Sequence, residues 1–213
     1  DRLRGMLKDG NQPFALLYID LDEFKAINAT YGHAAGDTVL RRVGAVLNKA
    51  SLATGGFAAR LGGDEFALVV PTDKIDNLTE LCEQLIRATS EPVDRDGEQL
   101  LCRVSIGLAT TTQVREAMKL SVDTLSRVTD FALYASKARG RACFTVYDSI
   151  LEKQFLERRA MLEELPGAIQ NDDLEVYFQP KVRLPEGEVY GFEALVRWNR
   201  NGQIVNPGEF IQL

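Results

Sequence analysis

Two carboxylates stand side by side behind paired glycines in the stretch Leu61-Gly62-Gly63-Asp64-Glu65-Phe66. Neither glycine carries a Cβ, so a bulky phosphate can approach the backbone there. Asp64 and Glu65 are hard oxygen donors of the kind that hold a divalent metal ion. Taken alone, the stretch is equally a solvated acidic turn. A second acidic element, Asp20-Leu21-Asp22, ends the unbroken apolar run Phe14-Ala15-Leu16-Leu17-Tyr18-Ile19. Such a run suits a central strand buried on both faces, and α/β proteins build their sites at the ends of such strands. A solvated surface turn does not explain Asp20.

The elements that must position these acids are legible around them. Phe57-Ala58-Ala59-Arg60-Leu61 and Phe66-Ala67-Leu68-Val69-Val70 read as two strands joined into a β-hairpin with Asp64 at its tip. Residues 1–7 read as the remainder of a helix and residues 23–30 as a short one. From Ala34 to about Lys49, Val39, Leu40, Val43, Val46 and Leu47 recur at helical spacing, as do Leu78, Leu81, Cys82, Leu85 and Ile86 further on. Asp96-Gly97 marks a turn into a strand over 101–109. A helix over 122–139 turns Leu125, Val128, Ala132 and Ala135 inward, and 143–147 closes the unit as a strand. The order β-α-α-β-β-α-β-α-β predicts an α/β (α+β) unit with helices on a mixed sheet.

Composition narrows the function classes. The 213 residues, 45% of them hydrophobic, suffice for one full domain and part of another. A net charge of −6 argues against a general nucleic-acid or membrane-surface binder. Cys82, Cys102 and Cys143 lack ligand-like spacing and read as small buried hydrophobes in a reducing compartment. No apolar run approaches the roughly 20 residues of a membrane span, and no signal peptide opens the sequence. A soluble, cytoplasmic segment is expected, with room for a sensor domain upstream in a longer parent.

Four blocks now carry a resemblance. They are Asp20-Leu21-Asp22-Glu23-Phe24-Lys25-Ala26-Ile27-Asn28, Tyr31-Gly32-His33-Ala34-Ala35-Gly36-Asp37, Arg60-Leu61-Gly62-Gly63-Asp64-Glu65-Phe66 and Ala132-Leu133-Tyr134-Ala135-Ser136-Lys137-Ala138-Arg139-Gly140-Arg141. In this order they resemble the GGDEF family, diguanylate cyclase domains that make cyclic di-GMP from two GTP. The resemblance implies a ferredoxin-like nucleotidyl-cyclase palm over residues 1–148 and a homodimeric, transiently formed catalytic assembly. It implies Mg²⁺ (or Mn²⁺) held by Asp20, Asp64 and the Leu21 carbonyl, with Glu65 as a further ligand or an aid to deprotonation; Asp64 and Glu65 are the catalytic pair. It assigns Asn28 and Asp37 to guanine, and Phe24, Lys25, Lys137 and Arg141 to the triphosphate.

Read without the resemblance, several of these residues have plainer roles. Asn28 is equally a helix-end polar residue, and Asp37 an acid favoured at a helix N-terminus. Lys25, Lys137 and Arg141 are equally solvated cations, and Phe24 and Phe66 read as core residues rather than stacking platforms. Arg60 pairs with a site acid or supports the hairpin. His33 reads as a structural or turn-packing residue near the ribose rather than a catalytic one. One departure is specific: many members carry an inhibitory R-x-x-D upstream of the signature, where this chain has Ala53-Thr54-Gly55-Gly56. The usual D-x-L-T-G-L-x-N-R opening is also absent.

Beyond Asp148, Leu151, Phe155, Leu162 and Leu165 stripe a helical linker over 149–171. Strands over 175–184 and 188–198 then flank a Pro-Glu-Gly turn as a hairpin. Tyr177-Phe178-Gln179-Pro180, Glu193-Ala194-Leu195-Val196-Arg197-Trp198 and Pro207-Gly208-Glu209-Phe210-Ile211 resemble the start of an EAL domain, the cyclic di-GMP phosphodiesterase family with a TIM-like barrel. Residues 172–213 would be its truncated first portion. Strand alternation places Glu193, Leu195 and Arg197 on one face, and the resemblance makes Gln179, Glu193 and Arg197 part of an incomplete hydrolytic site.

Overall fold

The computed structural model describes residues 2–9, 12–74, 77–95 and 97–211. By its contacts the chain divides into two compact units, residues 1–149 and 150–213.

The first unit runs α1 (Arg2–Asp9), β1 (Phe14–Asp22), α2 (Phe24–Tyr31), α3 (His33–Thr54), β2 (Phe57–Gly62) and β3 (Glu65–Pro71). It continues through α4 (Leu78–Thr89), β4 (Val93–Arg95), β5 (Glu98–Leu100), β6 (Arg103–Thr110), α5 (Thr111–Ala117), α6 (Val122–Ala138) and β7 (Phe144–Val146). Five strands form one mixed sheet in the order β2-β3-β1-β6-β7. Every neighbouring pair is antiparallel except β6 with β7.

The apolar run of β1 sits at the centre because both its faces are covered. Ala15, Leu17, Ile19 and Leu21 join Val39, Leu40, Val43 and Leu47 of α3 and Cys82 and Leu85 of α4 in one core. Phe14 and Leu16 join Leu125, Val128 and Ala132 of α6 in the other. Period-2 alternation therefore sends the even-numbered residues of β1 toward α6. The central strand continues past Ile19 to Asp22, so its last turn of pairing carries both acids.

Three local differences from the sequence reading have simple causes. α3 runs on from Lys49 to Thr54, ending only where Gly55 takes a left-handed φ of +72°. The hydroxyls of Ser51 and Thr54 bond back to helix carbonyls, which satisfies polar groups that otherwise signal a helix end. The turn expected at Asp96-Gly97 is flanked by the β4–β5 ribbon, with Gly97 at φ +86°. Three-residue strands such as Val-Asp-Arg offer no period to count, and Asp96 of that turn lies outside the described residues. α5 was missed because its signal is a capping box, Thr110 with Gln113, rather than an apolar stripe.

In the second unit α7 (Ser149–Gln170) precedes β8 (Leu174–Arg183), β9 (Glu188–Arg200), β10 (Gln203–Val205) and α8 (Pro207–Phe210). The three strands form a sheet in the order β10-β9-β8. Its core is Trp198, Val205, Phe210 and Ala168, with Met161, Leu165 and Leu174 against it; the Trp198 and Phe210 rings meet edge-on at 5.7 Å. The packed seam of α7 is thus Met161–Leu165–Ala168, and Leu162, expected on that stripe, is exposed. Leu151, also expected there, has a side chain outside the described set.

Candidate functional site at the end of the central strand

Asp20 lies two residues before the end of β1, which stays buried through Asp22, and is only 7% exposed. The antiparallel ladder places Glu65 of β3 directly opposite it on one side and Ser105 of β6 on the other. Glu65 also pairs with Gly62 of β2, leaving Gly63 and Asp64 as the two-residue tip of the hairpin. Gly63 takes φ +50°, which a tight hairpin needs and a side chain resists.

Two contacts fix that tip. Arg60 donates from Nε and Nη2 to the Gly63 carbonyl oxygen at 2.9 and 2.6 Å. The Leu21 amide donates to the Asp64 carbonyl oxygen at 3.3 Å, tying the tip to the end of β1. Arg60, open to two roles in the sequence, therefore supports the hairpin. Lys137, near the end of α6, places Nζ 2.8 Å from Asp20 Oδ2. Its ammonium is engaged by the buried Asp20 carboxylate rather than held out in solvent.

Burial raises the Asp20 carboxyl above its ordinary range. The Lys137 ammonium opposes that shift, while the charges of Asp64 and Asp22 add to it. The same acids reach Cys102, whose thiol is pushed up to about 12 first by burial and then by Asp22, Asp20 and Asp64. Cys82 is likewise pushed up to about 12 by burial, so both behave as inert core residues. Asp20, Asp22 and Asp64 thus lie close enough at this end of the sheet for their charges to reach Cys102. Among the described residues no three His, Cys, Asp or Glu side chains gather around one point as a metal cage. The residues here whose chemistry could hold a metal are Asp20 and Asp64, both hard oxygen donors, with the main chain beside them.

The helices that follow β1 carry the next group. Glu23, at φ +58°, turns the chain into α2. Phe24 and Ile27 then pack on the core, while Lys25 is exposed in the first turn. α2 and α3 come together at Gly36: a Cβ there would strike the Asn28 Oδ1 atom and crowd the Phe24 ring. The glycine thus admits the Asn28 amide against α3, one residue before exposed Asp37. His33, the first residue of α3, is exposed. Phe66 is core, as expected from its type.

Arg141 lies in the loop between α6 and β7, with φ +64°. That loop is gripped by Asp22, a residue to which the sequence assigned no role. Its Oδ2 accepts from the Ala142 amide at 3.0 Å, and its Oδ1 from the Ser105 hydroxyl at 2.7 Å. The signal was present, since Asp22 shares a strand face with Asp20 by period-2 alternation. Beside α2 and this loop lies a groove of about 420 Å³ lined by Glu23, Tyr31, Arg103 and Arg141 among others.

In the second unit Gln179 stands directly opposite Glu193, and Glu175 opposite Arg197, so the three expected residues do share a face. Glu193 is paired to Lys181 at 3.4 Å. The Arg197 guanidinium lies 5.7 Å from the Tyr177 ring centroid.

The five-stranded mixed sheet that carries this hairpin and the buried aspartate is shared with solved GGDEF domains. The chain belongs to the GGDEF family: the model described as "Diguanylate cyclase, GGDEF domain" matches residues 2–143, and an EAL-domain model matches 162–213. The bifunctional diguanylate cyclase/cyclic di-GMP phosphodiesterase MucR of Pseudomonas aeruginosa is 31% identical across 100% of this chain and 31% of its own length. The cyclic di-GMP phosphodiesterase NbdA of the same organism is 32% identical across 100% of this chain and 26% of its own. The chain thus spans about a third or less of these curated relatives. Among solved structures, the GGDEF domain of DgcB from Caulobacter crescentus in complex with c-di-GMP matches with a TM-score of 0.61 and 33% identity, over 70% of this chain and 84% of that one. The active GGEEF domain of a diguanylate cyclase from Vibrio cholerae matches with a TM-score of 0.58 and 28% identity, over 68% and 89%.

Proposed function

We propose that this chain is a diguanylate cyclase module of a longer GGDEF–EAL protein, condensing two GTP into cyclic di-GMP with release of pyrophosphate. The observation that carries the reading is Asp20, buried at the end of the central strand, ion-paired to Lys137 and bound through Leu21 to the Asp64 hairpin. In each half-reaction a 3′-hydroxyl oxygen bonds to the α-phosphorus of the other GTP, the α–β bridging bond breaks, and the hydroxyl proton is lost. Asp20, Asp64, Glu65 and the Leu21 carbonyl would hold Mg²⁺ or Mn²⁺, which when bound supplies Lewis-acid polarisation of the α-phosphate and lowers the hydroxyl pKa.

The chain's own groups do the rest. Asn28 and Asp37 read the guanine edge, the carboxylate accepting from its N–H donors. Lys25, Lys137 and Arg141 offset the triphosphate charge, and the Phe24 backbone at the start of α2 offers an amide to it. Glu65 takes the proton from the nucleophile. Each of these residues occurs once, so a symmetric product needs two chains face to face, transiently. GTP as substrate favours a cytoplasmic site, with a sensor elsewhere in the parent. Residues 172–213 would start a TIM-like EAL barrel and are catalytically incomplete alone.

A second reading has one observation in its favour. NbdA, similar along the whole chain, is named for phosphodiesterase activity alone. A GTP-binding but non-catalytic GGDEF module could regulate such an enzyme. Incubation with GTP and Mg²⁺, followed by product identification, separates the two readings. The cyclase yields cyclic di-GMP and pyrophosphate, lost in Asp64→Ala with the fold retained because Asp64 lies at the hairpin tip. Bound but unconsumed GTP would establish the regulatory module instead.

A further inference from the structure

The two acids of the Asp20-Leu21-Asp22 segment face the same way along β1, yet they are wired differently. Asp20 points its carboxylate at Lys137. Asp22, 9% exposed, has both oxygens engaged elsewhere: Oδ1 by the wholly buried Ser105 hydroxyl, Oδ2 by the Ala142 amide. Its two oxygens are thus committed to β6 and to the loop after α6.

The segment it grips is conformationally costly. Gly140, Arg141 and Ala142 take φ of +110°, +64° and +49° in succession. Left-handed backbone disfavours residues that carry a Cβ, so two such residues in a row persist only where neighbours over-determine them. The neighbours are identifiable. The Arg141 amide donates to the Ser136 carbonyl at 3.2 Å and the Gly140 amide to the Lys137 carbonyl at 3.3 Å, capping α6. The Ile106 amide donates to the Cys143 carbonyl at 3.0 Å, anchoring the loop's far end to β6. Between these anchors Ala142 is held by Asp22.

We propose that Asp22 is a positioning residue, which holds the Gly140–Ala142 loop so that the Arg141 guanidinium is presented to the triphosphate of the nucleotide. This rests on the cyclase reading of the site. Asp22 acts through Arg141, and it touches neither substrate nor metal.

The experiment uses this chain and two probes: 3′-deoxyGTP with Mg²⁺, which lacks the nucleophilic hydroxyl and cannot be cyclised, and guanosine, which lacks phosphates. Asp22→Ala should weaken 3′-deoxyGTP at least about ten-fold, a fair loss for one charge-assisted contact, with guanosine affinity unchanged. Arg141→Ala should cause a similar loss, and the double variant should add less than about two-fold to either, since coupled residues are non-additive. Asp22→Asn, which keeps an acceptor for the Ala142 amide, should recover most of the affinity. The Ala142 amide should exchange with solvent faster in Asp22→Ala than in Asp22→Asn.

Full additivity of the two alanine variants would overturn the proposal, as would equal loss of guanosine and triphosphate in a folded Asp22→Ala protein. Wild-type chain that binds 3′-deoxyGTP tightly while Asp22→Ala binds it as well overturns the proposal alone. Wild-type chain that binds no triphosphate overturns the cyclase reading, and this proposal with it.

Discussion

At Asp20 the proposed function and the stability of the fold oppose each other. Burial raises its carboxyl in the folded chain, so between its ordinary value of 3.8 and the raised one the native state binds more protons than the unfolded chain. Stability contributed by this group is therefore present at low pH and lost as pH rises through that window. Asp20→Asn should raise the melting temperature of the metal-free protein at neutral pH, with the gain shrinking toward pH 4. It should also eliminate cyclic di-GMP synthesis. Thermal scans in chelator across that range test it; a variant equally destabilised at every pH would show that the Lys137 ion pair outweighs the burial cost. Arg60 makes a complementary case, because its two donations end on the Gly63 carbonyl at an exposed tip. Arg60→Ala should shift the melting temperature by only about 2–4 °C yet cut cyclase activity about ten-fold or more, since small misplacement of a reacting group is expensive. Activity that is unchanged would detach Arg60 from the site.

At the scale of elements, two glycines show why spacing alone could not give the whole arrangement. Gly36 reads from the sequence as one letter of a block, whereas in the fold it is the gap that admits Asn28 against α3. Gly36→Ala should therefore weaken guanine recognition: KM for GTP should rise while discrimination against ATP falls, which paired kinetics with the two nucleotides will read. Gly56 stands where the inhibitory aspartate of many relatives would be, and a Cβ there would strike the Val69 carbonyl oxygen of β3. Ala53→Arg with Gly56→Asp should accordingly lower stability without creating strong inhibition by cyclic di-GMP; inhibition that appears in a stably folded double variant would contradict this. The central strand, the hairpin and the long helices were legible because their apolar period is unambiguous over six or more residues. The β4–β5 ribbon, α5, α8 and β10 were not, being too short to show a period. The site acids were legible as a set because Asp20 ends a run too apolar to be a surface loop. Asp22 and Ser105 were illegible as partners because they meet only through the register of β1 with β6, 83 residues apart in sequence.

The whole molecule combines a unit with a well-covered sheet and one with an incompletely covered ribbon. Phe178 and Phe192 of the β8–β9 ribbon are 67% and 63% exposed, and Val176 and Tyr190 stand open as well. Apolar strand faces of this kind favour self-association unless something covers them. Association through them would be catalytically unproductive on the proposed reading, in which cyclisation would need two hairpins to meet. Asp20, Asp64, Asn28 and Asp37 occur once per chain, so on that reading one copy would present one GTP. The most direct test is the specific activity of the purified chain with GTP and Mg²⁺ across a wide dilution series, with product identified and oligomeric state recorded at each point. The account requires cyclic di-GMP and pyrophosphate as products, formed at a specific activity that climbs with protein concentration. A flat specific activity from verified monomers, or GTP left unconsumed at every concentration, would contradict it.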